Sequence, residues 1–412
     1  MKKILAAEKF SKWLISDEIF IYTFGNQPIK IQNFVPINSF FSILIIFSII
    51  PLFLICNLRI VFYKIYFRKK NTYFTSTDIL IGNDHSTDEF YARNALNRNE
   101  VDFDHMNQFM VNNFINKNFK LISYQKMILE ACFDVIKISR IKDSKMKRCA
   151  FITSIRNLPF YVIYRAFFHH QKSLGLRRVH LVAMPLILMD AIEKERLPCT
   201  VYLHGLSIKI PQTLFPSIDC LCVISKDEKK YFSNFMSEKK IKLHKLNNLS
   251  EYKDNAVLLL RQRLNFSGSY PDLMSIDDIN ALSLFLRDLN INLYYKVHPK
   301  TDMSGIEELK ETLGIDDSSL IKNLHPISDN IELIQPKFMF GWFSSGLAES
   351  LSLNIIPVMI DAAVFKTEKI QNFSNFSYEN RCLNFKTDKD LLINCSTNND
   401  VYMKVLNQLQ HS

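Results

Sequence analysis

Apolar residues in this chain fall into one long run and then into short blocks that alternate between strand and helix spacing. From Ile31 to Leu58 there is no charged residue, and the core of the run, Ser39 to Cys56, reads SFFSILIIFSIIPLFLIC. Extended to Asn57 as a helix it would be about 28 Å long, close to the ~30 Å hydrocarbon thickness of a bilayer. It predicts an N-terminal apolar membrane helix over residues 39–57, kinked at Pro51, which a membrane helix tolerates. The run starts too late, is too long and lacks a small-residue cleavage site, so it is not a signal peptide. The alternatives are a buried helix and a re-entrant or in-plane helix. Arg59, Lys64, Arg68, Lys69 and Lys70 follow the run, a basic exit that suits anionic headgroups and puts the following body on the cytoplasmic face of the inner membrane.

Beyond that linker the blocks shorten. Thr77 to Gly82, Arg178 to Ala183, Cys199 to Leu203, Asp219 to Ile224 and Ile241 to Leu246 read as strands. Lys126 to Lys137, Phe160 to Leu174 and Ala191 to Glu195 read as helices, and Ser225 with Glu228 forms a capping-box pattern that opens another. The second half repeats the alternation. Strands are predicted at Ala256 to Leu260, Asn292 to Val297, Phe338 to Gly341 and Ile355 to Ile360, with helices from Ser275, Gly305 and Gly346 between them. Short apolar strands separated by helices indicate parallel sheets in an α/β fold. The expected domains are 1–70, a membrane-associated segment; 71–250, a Rossmann-like domain for the acceptor; and 251–412, a Rossmann-like domain for a nucleotide.

Composition narrows the class. The formal net charge is +10, but there is no zinc-finger spacing, no RNP-like aromatic motif and no long basic arm, so nucleic acid is not the implied partner. Eight cysteines contain no C-x-x-C pair, and they read as reduced thiols. Cys220 and Cys222 alternate along a strand and so share one face.

In open α/β sheets ligands sit at the carboxyl ends of strands. Lys296-Val297-His298-Pro299-Lys300 ends one predicted strand. A histidine there can hydrogen-bond a phosphate, flanking lysines add positive potential, and Pro299 stops the strand. His325-Pro326 is read as structural. A second strand end leads into Ser344-Ser345-Gly346 and Glu349. Hydroxyls at a helix start either cap it or join its N–H groups in holding phosphate, Gly346 allows close approach, and Glu349 either accepts ribose hydroxyls or faces solvent.

His-Pro followed by Ser-Ser, each after a strand of the second domain, resembles bacterial sialyltransferases and polysialyltransferases of the GT-B type. The resemblance covers roughly residues 255–360. It implies a GT-B fold, with two Rossmann-like domains facing a cleft, and a CMP-activated donor, sialic acid-like or Kdo-like, held by His298, Pro299, Ser344 and Ser345. No counterpart of the family's acidic pair followed by Gly is found. Leu203-His204-Gly205-Leu206-Ser207 is similar to the His-Gly motif of teichoic-acid glycerophosphotransferases, which use CDP-glycerol. The analogy makes His204 an acceptor base, with a turn histidine as the alternative. Asn83-Asp84-His85 follows the first strand of the acceptor domain and offers a rival base, Asp84 or His85. Asp102-Phe103-Asp104 is formally a D-x-D, but it lies in a polar stretch and reads as solvated surface.

These readings converge on a metal-independent, inverting glycosyltransferase. It has no cofactor beyond its CMP-linked donor, and its acceptor is a growing bacterial surface glycan such as capsule, lipopolysaccharide or another lipid-linked chain. The alternatives are a CDP-glycerol-type polyol-phosphate transferase and a non-catalytic scaffold of glycan assembly.

Overall fold

A computed structural model describes residues 40–66, 77–82, 103–107, 121–140, 144–182, 186–203, 217–223, 225–243, 251–260, 275–297, 303–321, 331, 333–342, 344–361 and 378–411. They belong to two compact units, with the main border after Leu221.

The chain enters through two consecutive helices, α1 (Phe40–Phe47) and α2 (Ile49–Tyr66). Strands β1 (Asp78–Gly82) and β2 (Phe103–Asn107) follow, then helices α3 (Leu121–Ile136) and α4 (Ser144–Ser173). Next come β3 (Arg178–Val182), α5 (Leu186–Lys194), β4 (Cys199–Tyr202), β5 (Ile218–Val223), α6 (Lys226–Phe232) and β6 (Ile241–Leu243). These strands form one six-stranded sheet in the order β2-β1-β3-β4-β5-β6. The pairs β1–β2, β1–β3 and β3–β4 are parallel. In α3 the residues Tyr124, Ile128, Ala131 and Val135 are buried, a spacing of three and four that turns one stripe inward. At α6 the Ser225 hydroxyl accepts from Glu228 N at 3.2 Å and the Glu228 carboxylate accepts from Ser225 N at 3.3 Å. This is the capping box read from the sequence, and such caps contribute about 1 kcal/mol.

The second sheet begins with β7 (Lys253–Leu259), followed by α7 (Ile276–Asp288), β8 (Asn292–Lys296), α8 (Met303–Leu313), β9 (Leu320–Ile321) and β10 (Pro336–Gly341). It continues through α9 (Ser345–Ser352), β11 (Ile356–Met359), α10 (Tyr378–Arg381), β12 (Leu383–Asn384), α11 (Lys389–Thr397) and α12 (Asn399–His411). The strand order is β12-β11-β10-β7-β8-β9, parallel throughout. The central strands are apolar on both faces. Ala256 to Leu259 and Phe338 to Phe340 are all buried, as expected of a parallel sheet covered by helices on either side.

The run read as one membrane helix over residues 39–57 is divided at Ser48 into α1 and α2, and α2 carries Arg59 and Lys64. No described helix is long and apolar enough to cross a membrane. The D-x-D stretch, taken as solvated surface, contains a strand: Phe103 to Asn107 pair in register with Asp78 to Gly82. The aromatic helix expected at Phe160 to Leu174 starts at Ser144 and runs through Pro159. Cys56, Cys132, Cys199, Cys220, Cys222, Cys382 and Cys395 are free thiols, as read from the sequence.

Candidate active site

A parallel sheet delivers all its strand ends to one edge, so residues far apart in sequence can meet there. In the second sheet β7 lies between β8 and β10. Leu259 pairs with Lys296 on one side, and Leu258 pairs with Phe340 on the other. Lys296 and Gly341 therefore end their strands at the same level, two strand spacings or about 9.6 Å apart. In the sequence His298 comes two residues beyond Lys296, and Ser344 three residues beyond Gly341. His298 and Pro299, like His325-Pro326, lie outside the described residues.

Ser344 is extended (φ −149°, ψ 141°) and caps α9. Its Oγ accepts from Gly346 N at 3.2 Å. Ser345 is the first residue of the helix and Gly346 the second, so the N–H groups of this first turn face the strand-end edge with the positive end of the helix dipole. Glu349, one turn further in, is only 6% exposed. Of its two readings from sequence, the solvent-facing one is removed.

Lys296 is 5% exposed, and its Nζ donates to the Val297 carbonyl at 3.3 Å. Burial pushes its pKa down to about 8. Trp342, directly after β10, is 1% exposed, and its indole Nε1 has no hydrogen-bond partner among the described residues. A buried donor left so costs about 1–3 kcal/mol, which marks this strand end as a place with unused hydrogen-bonding capacity. Neither the depth of Lys296 nor the idle indole is visible in the sequence.

The first sheet has the same logic. Gly82, Val182 and Tyr202 stand at one level, because Ile81 pairs with Leu181 and Val182 pairs with Tyr202. The segments carrying Asp84-His85 and His204 therefore leave the same edge, with β3 between them. Asp84, His85 and His204 lie outside the described residues. Inside this sheet sits a group outside the motifs of the sequence. His180, wholly buried on β3, has Nδ1 3.0 Å from the Tyr202 hydroxyl and Nε2 3.3 Å from Asp78 Oδ2. A lone histidine inside the apolar strand RVHLV was the available signal.

The alpha-2,8-polysialyltransferase (POLYST) family model matches residues 121–359, more than half of the chain. No curated protein sequence matches. Among solved structures, the wall teichoic acid polymerase TagF is 13% identical at a TM-score of 0.44, over 92% of this chain and 93% of that one. MnaA of S. aureus, solved with UDP, is 11% identical at 0.42, over 80% and 90%. A glycosyltransferase from Rickettsia africae is 11% identical at 0.40, over 83% and 93%. By the extent and description of the family match, the chain belongs to the alpha-2,8-polysialyltransferase family.

Proposed function

We propose that this protein is an inverting GT-B glycosyltransferase that moves a sialic acid-like or Kdo-like sugar from a CMP-activated donor to a growing bacterial surface glycan. The observation that carries the reading is the shared level of Lys296 and Gly341 at one edge of the second sheet, in a chain of the polysialyltransferase family. In this reading the donor phosphate meets one cationic side, Lys296 and His298, and one N–H and hydroxyl side, Ser344, Ser345 and Gly346. Glu349 takes the ribose hydroxyls.

The reaction is a direct displacement. A base that follows a strand of the first sheet, His204 or the Asp84/His85 pair, removes the proton of the acceptor hydroxyl. The acceptor oxygen forms its bond to the anomeric carbon as the bond to the CMP oxygen breaks. CMP leaves with the electron pair, and its growing negative charge falls on His298, Lys296 and the first turn of α9. These groups supply the charge stabilisation without a metal ion. The acceptor is a capsule or lipopolysaccharide chain, assembled at the cytoplasmic face of the inner membrane, where residues 39–57 hold the protein.

The test is turnover by the purified full chain of CMP-sialic acid, CMP-Kdo and CDP-glycerol, each with and without acceptor glycan. Release of CMP from a CMP-sugar, lost in His298→Ala and Ser344→Ala, is the expected result. Turnover of CDP-glycerol alone would replace this reading with polyol-phosphate transfer. No turnover, together with unchanged cellular glycan in both variants, would leave a scaffold.

A further inference from the structure

The first unit presents an apolar face that the proposed chemistry does not use. One side of the α1–α2 pair is packed. Ile45, Leu52, Cys56 and Ile60 are 0–6% exposed, and α2 lies on α3 and α4. The contact is fixed by a polar pin, in which Gln125 Nε2 donates to Asn57 Oδ1 at 2.6 Å. The opposite side is bare. Phe47, Ile50, Leu54, Leu58 and Phe62 are 55–74% exposed, and their spacing of three and four makes one continuous stripe.

The stripe widens onto α3. Leu129 and Phe133, 44% and 53% exposed, stand four and eight residues beyond Gln125 and so on the same side of α3. Since Gln125 meets Asn57, that side adjoins α2. Exposed apolar side chains that continue from one helix to its neighbour are the kind of patch that marks a protein or membrane interaction site. Its borders are basic. Arg59 is exposed on α2, and Arg140 is exposed in the 3-10 turn Lys137–Arg140 against which α1 packs. The two acidic residues of α3 are both paired, Glu130 with Arg165 at 2.8 Å and Asp134 with Lys137 at 2.5 Å. A second copy of the same face would bring cationic borders together, whereas anionic headgroups match them.

We propose that α1, α2 and the outer stripe of α3 form one in-plane docking face that settles into the headgroup–acyl boundary of an anionic bilayer, with the helices lying along the membrane rather than across it. Crossing would strip Ile45, Leu52, Cys56 and Ile60 from the body and carry Arg59 toward the hydrocarbon. Lying in plane keeps every packed contact and buries only what is already bare. The inference does not depend on the identity of the donor.

The test uses the full chain and two kinds of vesicle, phosphatidylglycerol with phosphatidylethanolamine, and phosphatidylcholine alone. Co-sedimentation is expected with the anionic vesicles and should weaken with salt. The triple variant Ile50→Ser, Leu54→Ser, Leu58→Ser, altered only at exposed positions, should bind about tenfold more weakly or less with unchanged circular dichroism and CMP-sugar turnover. Fluorophores at Phe47→Cys, Leu54→Cys and Phe62→Cys should be quenched by spin-labelled lipids at one common shallow depth. Undiminished binding by the triple variant overturns the proposal. So does a deep label at 54 between shallow ones at 47 and 62, which would mean a crossing helix. A lipid-free dimer that the triple variant dissociates, with no vesicle binding, would mean that a second copy covers the face.

Discussion

His180 bridges two strands through its two ring nitrogens, with Nε2 3.3 Å from Asp78 Oδ2 and Nδ1 3.0 Å from the Tyr202 hydroxyl. The arrangement is satisfied by a neutral ring that donates from Nε2 and accepts at Nδ1. Burial lowers the pKa of His180 and outweighs the pull of the Asp78 carboxylate. In the unfolded chain the ring takes up its proton near pH 6.5, in the folded chain only at lower pH. The unfolded state therefore binds more protons in that window, so stability falls as pH drops below about 6.5 and is unaffected above it. Thermal melts at a series of pH values should show the loss on the acid side, with a shallower slope in His180→Gln. Tyr202→Phe removes the donor to Nδ1 and should cost about 1–3 kcal/mol at neutral pH.

Ser344 has two jobs in the proposed site, and one substitution separates them. As a cap, its oxygen accepts from Gly346 N, a task that aspartate performs equally well. As a phosphate ligand, it must not carry negative charge. Ser344→Asp should retain the melting temperature to within about 0.5 kcal/mol of wild-type stability while losing CMP binding and turnover. Ser344→Ala should lose about 1 kcal/mol of stability as well. Equal CMP affinity in wild type and Ser344→Asp, measured by calorimetry, would reduce the residue to its capping role.

Elements whose local pattern agrees with their surroundings were legible in the sequence. The apolar blocks of β7 and β10 and the Ser225 and Ser275 caps fall where the residues place them. Strand β2 was hidden because FDHMN is as polar as a loop, and its pairing partner β1 lies more than twenty residues upstream. Helices α11 and α12 turn Leu392, Cys395, Tyr402, Val405 and Leu406 inward from a largely polar background, so their core stripe emerges only once the second sheet exists to receive it. At the candidate site, the strand ends could be read from His298 and Ser344, because each follows an apolar block. The depth of Lys296 and the link from Asp78 through His180 to Tyr202 could not, because each is made by neighbouring strands that are distant in sequence.

The cysteines give a reactivity prediction. Burial pushes the thiols of Cys199 and Cys382 far above the ordinary cysteine range, and those of Cys132 and Cys395 up to about 11. The thiolate is the reactive species, so at pH 8 these four should react with a disulfide reagent only as fast as the protein opens. A thiol titration should show them silent in buffer and fully reactive in guanidinium. Fast modification of all eight cysteines in the native protein would contradict their burial.

Lys296 separates stability from binding. Its pKa of about 8 lies below that of an exposed lysine because burial penalises the ammonium. Below pH 8 the folded protein holds a buried charge at a cost on the order of 3 kcal/mol, relieved as pH rises from 8 toward the unfolded value near 10.4. Lys296→Met should therefore raise the melting temperature at pH 7. The same ammonium is worth keeping if it meets a phosphate. CMP binding would then favour the protonated form, so affinity should fall as pH rises through 8, and binding near pH 8 should take up a proton. Calorimetry in two buffers of different ionisation enthalpy reads that proton directly. In Lys296→Met the proton uptake should vanish and CMP affinity should drop by about tenfold to a hundredfold, the worth of a charge-assisted hydrogen bond. A Met variant that is more stable and binds CMP as tightly as wild type would make Lys296 a buried lysine with no part in the donor site.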